Sequence, residues 1–116
     1  MDIVATAWED HLQMLKESEA PETIIVFCRN SFHAGAISYL ELEESTEYCW
    51  NEFRKHVLLV QCRSLGMPDE CRDIVIAECE QAFKAGAEAQ WMVTATTEEL
   101  RELKKHYEKE LRRMLQ

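Results

Sequence analysis

One stretch of nine residues occurs twice in this chain in closely related form. Residues 28–36 are Cys-Arg-Asn-Ser-Phe-His-Ala-Gly-Ala, and residues 79–87, 51 positions later, are Cys-Glu-Gln-Ala-Phe-Lys-Ala-Gly-Ala. An internal repeat limits the possible folds strongly, because each copy is expected to form the same unit of structure. We expect each copy to be a helix, and the repeated unit to be a two-helix hairpin.

Both copies carry small side chains at steps of three and four residues. These positions are Cys28, Ser31, Gly35 and Ser38 in the first copy and Cys79, Ala82, Gly86 and Ala89 in the second. A stripe of small residues lets two helix backbones approach more closely than the usual ~8–10 Å. We therefore predict that the two helices cross at Gly35 and Gly86 about a pseudo-two-fold axis, and that Gly86→Leu is much more damaging than Gly66→Ala.

Capping residues and helix breakers divide the chain into five expected helices. Asp2 is a capping residue, Pro21 and Pro68 suit a first helical turn, and Gly66 suits a helix end. Thr96-Thr97-Glu98-Glu99 matches a capping box that opens a charged last helix. The expected helices cover about residues 2–16, 21–43, 45–65, 68–93 and 96–116.

Two short apolar runs leave a choice between helix and strand. Residues 23–28 and 56–62 are rich in β-branched and other strand-forming side chains. Short apolar runs cannot be assigned from periodicity alone, although the repeat favours helix in the first of them. With helix at both, the sequence predicts an all-α, four- to five-helix antiparallel bundle built on a duplicated helical hairpin.

The expected organisation is a single helical domain over residues 1–116. Within it we expect an N-terminal amphipathic helix at residues 1–18, followed by two related halves at 21–66 and 68–116. Each half would consist of one helix of the crossing pair and the helix after it.

Charge and cysteine content narrow the possible partners and compartments. The net charge is -9, and residues 1–52 contain eleven acidic residues against only Lys16 and Arg29. Such a surface disfavours direct binding to nucleic acid or anionic membranes and attracts a basic protein. Five cysteines without a Cys-x-x-Cys pair favour free thiols in a reducing cytoplasm. The N-terminal sequence does not predict a signal peptide, and no apolar stretch is long enough to predict a membrane span.

The polar residues do not form any of the common catalytic or metal-binding motifs. The sequence has no GxGxxG, Walker loop, GxSxG or HExxH pattern, and no histidine has Glu three residues before it. Cys49 with His56, and Glu102 with His106, could share helix faces, but their spacing is not that of a zinc site. We therefore expect a non-enzymatic protein without a cofactor or a metal.

Two segments are candidates for binding a protein partner. The first is the N-terminal helix, where a charged flank at Glu9 adjoins an apolar stripe formed by Val4, Trp8, His11, Leu12 and Leu15. Its alternative is docking on the chain's own bundle. The second is the acidic run formed by Glu41, Glu43, Glu44 and Glu47. The alternative interpretation of this run is an ordinary solvated face.

In size, acidity, free thiols and helical make-up, the chain resembles the small acidic bacterial anti-activators of the QslA type in quorum sensing. The resemblance implies binding to a LuxR-type transcription factor, which blocks the dimerisation and DNA binding of that factor. We therefore expect a cytoplasmic, homodimeric regulator that binds and inhibits a protein target. The alternatives are a toxin-immunity protein, a phage-encoded host inhibitor, or a small ligand- or metal-binding helical bundle.

Overall fold

Helices account for nearly all of the described structure. The computed structural model describes residues 2–41, 45–95 and 99–115. The α-helices are α1 (Ile3–Glu17), α2 (Glu22–Glu41), α3 (Thr46–Phe53), α4 (Leu59–Ser64), α5 (Asp69–Ala95) and α6 (Glu99–Leu115). A π-helical turn, Arg54–Leu58, joins α3 to α4, so residues 46–64 form one continuous rod. These residues contain no β-strand, and the all-α prediction is confirmed.

Local sequence explains where several of these helices begin. The Asp2 carboxylate accepts a hydrogen bond from the Ala5 backbone N–H at 3.0 Å, and the Ser45 hydroxyl accepts one from Tyr48 at 3.2 Å. Both are side-chain caps that satisfy a backbone donor in the first helical turn. The capping box predicted at Thr96–Glu99 falls mainly on residues outside the described ranges. The two ambiguous runs, 23–28 and 56–62, are both helical.

The crossing predicted at the two glycines is confirmed. Gly35 lies directly against the backbone carbonyl of Phe83, and Gly86 lies directly against that of Phe32. A β-carbon added at either glycine would overlap the facing carbonyl oxygen. The repeat relates each residue to the one 51 positions later, so Gly35 corresponds to Gly86 and Phe32 corresponds to Phe83. The two contacts are therefore equivalent under the repeat. The pseudo-two-fold relationship between α2 and α5 therefore follows from backbone contacts.

The two repeat helices run in the same direction. The contacts pair Gly35 with Phe83, Phe32 with Gly86 and Cys28 with Cys79. In each pair the two residue numbers differ by about 51, and a constant difference is expected for parallel helices. In antiparallel helices the sum of the two residue numbers would be constant instead. The rod between them returns the chain, since Thr46 lies beside Ser38 and Val60 lies beside Val26. The rod is thus antiparallel to both α2 and α5, while α2 and α5 are parallel to each other.

Each repeat helix is packed on the helix that precedes it. The ring centroids of Trp8 and Phe32 are 5.5 Å apart, and those of Trp50 and Phe83 are also 5.5 Å apart. The turns correspond too, because Glu19 and Gly66 both adopt positive φ, at 58° and 63°. The structural repeat is therefore 3–41 with 46–95, which differs from the predicted halves 21–66 and 68–116. The predicted division separated α1 from α2, although the α1 tryptophan packs on the repeated phenylalanine.

The second hairpin is one helical turn longer than the first. Eleven residues separate Pro21 from Phe32, whereas fifteen separate Pro68 from Phe83. On the preceding helices, eleven residues separate Trp8 from Glu19, but sixteen separate Trp50 from Gly66. Four of those five extra residues make one α-helical turn, and a π-helical turn accommodates one residue more than an α-helical turn. The π-helical turn at Arg54–Leu58 therefore keeps both ends of the longer rod in register with the core.

The hydrophobic core consists of two clusters on opposite sides of the crossing. One cluster contains Phe83 with side chains from the rod, among them Trp50, Leu58 and Cys62. The other contains Phe32 with Leu15 of α1 and with Trp8 packed against it. Each cluster pairs one repeated phenylalanine with one tryptophan, so the duplication extends from the backbone to the core.

Candidate functional site

The apolar stripe of α1 lies inside the bundle. Leu15 is 1 % exposed, and Val4 and Trp8 pack against the same core cluster. His11 and Leu12 are half-buried, whereas Glu9 is exposed. Val4, Trp8 and Leu15 of the stripe thus contact the chain's own core. The structure therefore favours the alternative in which α1 docks on the bundle, and the assignment of Val4, Trp8, His11, Leu12 and Leu15 to a partner surface stays a prediction.

The acidic run is only partly covered by the structure. Glu41 is the last residue of α2, and Glu43 and Glu44 lie outside the described residues. Glu47 on α3 forms an ion pair with Lys84 at 3.5 Å, and Lys84 also pairs with Glu80 at 3.1 Å. The two carboxylates, Glu80 foremost, raise the pKa of Lys84. Glu47 therefore has a cationic neighbour within the chain, on the outer side of the contact between α3 and α5.

The small-residue stripe forms the interior of the crossing. Cys28, Ser31, Gly35, Cys79, Ala82, Gly86 and Ala89 are buried, and Ser38 is half-buried at one end. Cys28 and Cys79 form a hydrogen-bonded thiol pair, and this hydrogen bond together with burial raises the pKa of Cys28. The Ser31 hydroxyl donates to the Phe27 carbonyl oxygen at 2.8 Å. Because these groups satisfy one another away from water, we interpret them as packing residues.

His11 is the one described residue with a buried side-chain nitrogen or oxygen that lacks a hydrogen-bond partner. Its Nε2 atom is enclosed beside a shallow cleft between α1 and α5, whose lining includes Asp10 and Glu88. Burial lowers the pKa of His11, and the charge of Glu78 partly opposes that effect. The described residues contain no group of three or more His, Cys, Asp or Glu side chains placed to hold a metal ion. His11 therefore belongs to the contact of α1 with the bundle.

An open apolar groove lies between the start of α2 and the end of α4. We call it the α2/α4 groove; it has a volume of about 540 Å³ and is lined by Glu22, Thr23, Val26, Phe27, Asn30, Val60, Gln61, Ser64 and Leu65. Phe27 is buried, whereas Val60 and Leu65 are 53 % and 65 % exposed. Apolar side chains thus form a surface that water still reaches, which is typical of a binding groove.

A second apolar surface lies on α6. We call it the α6 stripe; it consists of Tyr107, Leu111, Met114 and Leu115, and Met114 and Leu115 are 80 % and 83 % exposed. The helix packs to a small extent on α5, and the longest dimension of the molecule is 64 Å against 31 and 24 Å for the other two. The stripe therefore extends from the bundle as a helix with an uncovered apolar face.

The α6 stripe is present in the sequence as apolar residues at steps of four, three and one, but neither the stripe nor the groove was among the predicted sites. The groove had one visible indication, since its walls include the two apolar runs that resembled strands. Such runs are more apolar than a single buried helix face requires. Val26 and Val60, which lie in them, remain exposed.

Within the described parts of the chain, no helix is both long enough and apolar enough to cross a lipid bilayer. Comparison with protein-family models, curated proteins and solved structures finds no match to this chain. The α2/α4 groove and the α6 stripe are therefore interpreted from their own chemistry.

Proposed function

We propose that this protein is a non-enzymatic regulator that binds and inhibits a protein target, and that α6 is the element it inserts into that target. The observation that carries the proposal is the exposed α6 stripe. Its members are spaced by four, three and one residues, the pattern of an amphipathic helix that docks in a groove. Regulation of this kind requires a surface that can be covered, and α6 supplies one.

The physical chemistry of α6 favours a bound state. An isolated helix of this length is only marginally stable in water, because most helical stability in proteins comes from tertiary packing. Burying a Leu or Met side chain contributes about 1.5–3 kcal/mol before the entropic cost of association. The three Leu and Met side chains of the stripe, together with Tyr107, can therefore stabilise both the helix and a complex.

Charge supports a basic target. Residues 99–115 contain six basic and four acidic residues, whereas the rest of the chain contains seven basic and eighteen acidic residues. The acidic bundle attracts a basic protein over distances near the Debye length, and the α6 stripe then supplies short-range contacts. DNA-binding proteins are basic, so a cytoplasmic transcription factor of the LuxR type is the target class that we propose. Covering its DNA-binding or dimerisation surface would inhibit it.

The test is affinity capture from a cell extract followed by an inhibition assay. Three baits are compared: the wild type, the stripe variant Leu111→Asp, and the polar-face control Lys109→Asp. The expected result is a protein captured by the wild type and the control but lost with Leu111→Asp. That protein, once purified, should lose its activity on titration with the wild type, measured as DNA binding if it is a transcription factor.

Two outcomes would count against the proposal. If all three baits capture the same proteins equally, α6 is not the binding element. If the captured protein keeps full activity at saturation, the complex is not inhibitory. Circular dichroism of each bait shows whether the bundle remains folded, so that a loss of capture is not caused by unfolding.

A further inference from the structure

We infer that the α2/α4 groove binds the α6 stripe of a second copy of this chain, so that two copies exchange their C-terminal helices in a closed dimer. The inference extends the expectation of a homodimer by assigning both sides of the contact. It rests on three observations: the dimensions of the two surfaces, their charges, and their positions at opposite ends of the bundle.

The dimensions of the two surfaces match. The α2 wall runs from Thr23 to Asn30, which is about 10 Å along a helix at a rise of 1.5 Å per residue. The α6 stripe runs from Tyr107 to Leu115, which is about 12 Å by the same rise. Since the groove is bounded by two helices and has an apolar floor at Phe27, it has the form that accepts the apolar face of a third helix.

The charges of the two surfaces are complementary. The groove opens beside Glu22, and α1 and α2 contain six acidic residues with the Asp2 cap included, against only Lys16 and Arg29. The last turn of α6 carries two basic residues, Arg112 and Arg113. A basic amphipathic helix is the partner that such an apolar groove on an acidic bundle fits, and this chain supplies one.

The positions of the two surfaces favour exchange between copies. Because α2 and α5 are parallel, the groove at the start of α2 lies at the end of the bundle opposite to Ala95, where α5 ends. A two-fold axis perpendicular to the bundle can then bring each α6 onto the groove of the other copy. Such a contact is mutual and closes after two copies, so it does not generate filaments.

Dimer formation would also control target binding. This consequence rests on the proposed function of α6, since a stripe that occupies a groove cannot bind a target. Self-association and target binding would compete for one surface. The monomer would then be the form that inhibits the target. The dimer would be an inactive form that releases monomers on dissociation.

The test measures the mass of the full chain in solution by sedimentation and light scattering over a range of concentrations. The wild type should be a dimer. Both Val60→Asp, in the groove, and Leu111→Asp, on the stripe, should weaken the dimer by roughly a hundredfold, because each places a charge in an apolar contact. The control is Ile74→Asp, which alters an exposed apolar residue of α5 outside both surfaces and should leave the dimer intact.

Mixing the two disruptive variants gives a sharper test. In a mixture, the intact α6 of Val60→Asp can occupy the intact groove of Leu111→Asp, so one of the two contacts is restored. A heterodimer should therefore form from two monomeric variants. Hydrogen exchange should show protection of α6 amides in the wild-type dimer that is lost on dilution.

Several results would overturn the inference. These are a monomeric wild type, a dimer that survives both substitutions, a mixture that stays monomeric, or α6 protection in a monomer, which would mean that the helix docks on its own chain. Failure of the proposed function would appear differently, as a normal dimer that captures no target. If both proposals hold, Val60→Asp captures more target than the wild type, because its stripe is no longer covered.

Discussion

Gly35 and Phe83 are in backbone contact across the two repeat helices, and the repeat makes Gly86 and Phe32 the equivalent pair. An added β-carbon at either glycine meets a carbonyl oxygen of the backbone, which cannot move aside by changing rotamer. Gly35→Ala and Gly86→Ala should each lower the free energy of unfolding by about 2 kcal/mol or more, despite a helix-propensity gain of about 1 kcal/mol. Urea unfolding followed by tryptophan fluorescence measures the change.

Gly66 provides the matched control for this prediction. It has a positive φ and open space around its α-carbon, so Gly66→Ala costs only the backbone strain of about 1–2 kcal/mol. Gly86→Leu, which adds bulk at the crossing, should be worse than Gly86→Ala. A Gly86 variant that is as stable as the wild type would contradict the close crossing.

Trp8 should contribute to folding stability because α1 docks on the bundle. Trp8→Ala removes the ring that packs on Phe32 and should lower the free energy of unfolding by about 2–4 kcal/mol. Glu9→Ala changes the exposed neighbouring residue and should have an effect within about 0.5 kcal/mol. If Trp8→Ala left stability unchanged and abolished capture of a target, the partner-binding interpretation of α1 would return.

Stability should fall in mild acid because of His11. Burial lowers the pKa of His11 below its usual value of 6.5, so the folded protein binds fewer protons than the unfolded chain in that interval. The free energy of unfolding should therefore decrease as the pH falls through 6.5 toward the lowered pKa, and then stop responding to this group. Unfolding midpoints at a series of pH values should show a smaller decrease in His11→Gln. The exposed His33→Gln should follow the wild type.

The five thiols should react at very different rates. Cys71 is exposed, while Cys28, Cys49, Cys62 and Cys79 are buried. In the native protein an aromatic disulfide reagent should label one thiol quickly, and the other four should react only as the protein opens. Cys71→Ser should abolish the rapid phase. Rapid labelling of two or more thiols would show that the crossing is more open than the structure indicates.

Removing the extra residue of the rod should be tolerated. Deletion of Lys55, an exposed residue of the π-helical turn, should convert that turn to regular α-helix and keep Trp50 and Cys62 in the core. Deletion of Gln61, in the regular α4, shifts the register of that helix and should be more destabilising. Melting temperatures of the two deletion variants test the order. Equal losses would argue that the π-helical turn does not absorb the inserted residue.

The sequence was sufficient for the crossing because the relevant information is local. Only glycine permits backbone contact at 35 and 86, and small residues at steps of three and four identify the buried face. The direction of α5 relative to α2 was not predictable in this way, since the same spacing fits parallel and antiparallel helices. The direction follows from the single returning rod between them, and the π-helical turn within that rod has no clear sequence pattern.

The candidate site was less predictable than the fold. The α6 stripe was visible as a periodic pattern, but its exposure depends on which surfaces the rest of the chain leaves available. The stripe of α1 has a similar pattern and is buried, so periodicity alone could not distinguish the two helices. The groove depends on how α2 and α4 are placed relative to each other, which is a tertiary relationship that local patterns do not contain.

The reciprocal contact of α2 with α5 has a mechanical consequence. Where two helices touch through their backbones, no layer of side chains lies between them that could rearrange under load. The two hairpins should therefore move as one rigid body, and a displacement of one hairpin should be transmitted to the other almost unchanged. Flexibility in this protein is therefore expected away from the crossing of α2 and α5. The bundle itself is expected to remain rigid.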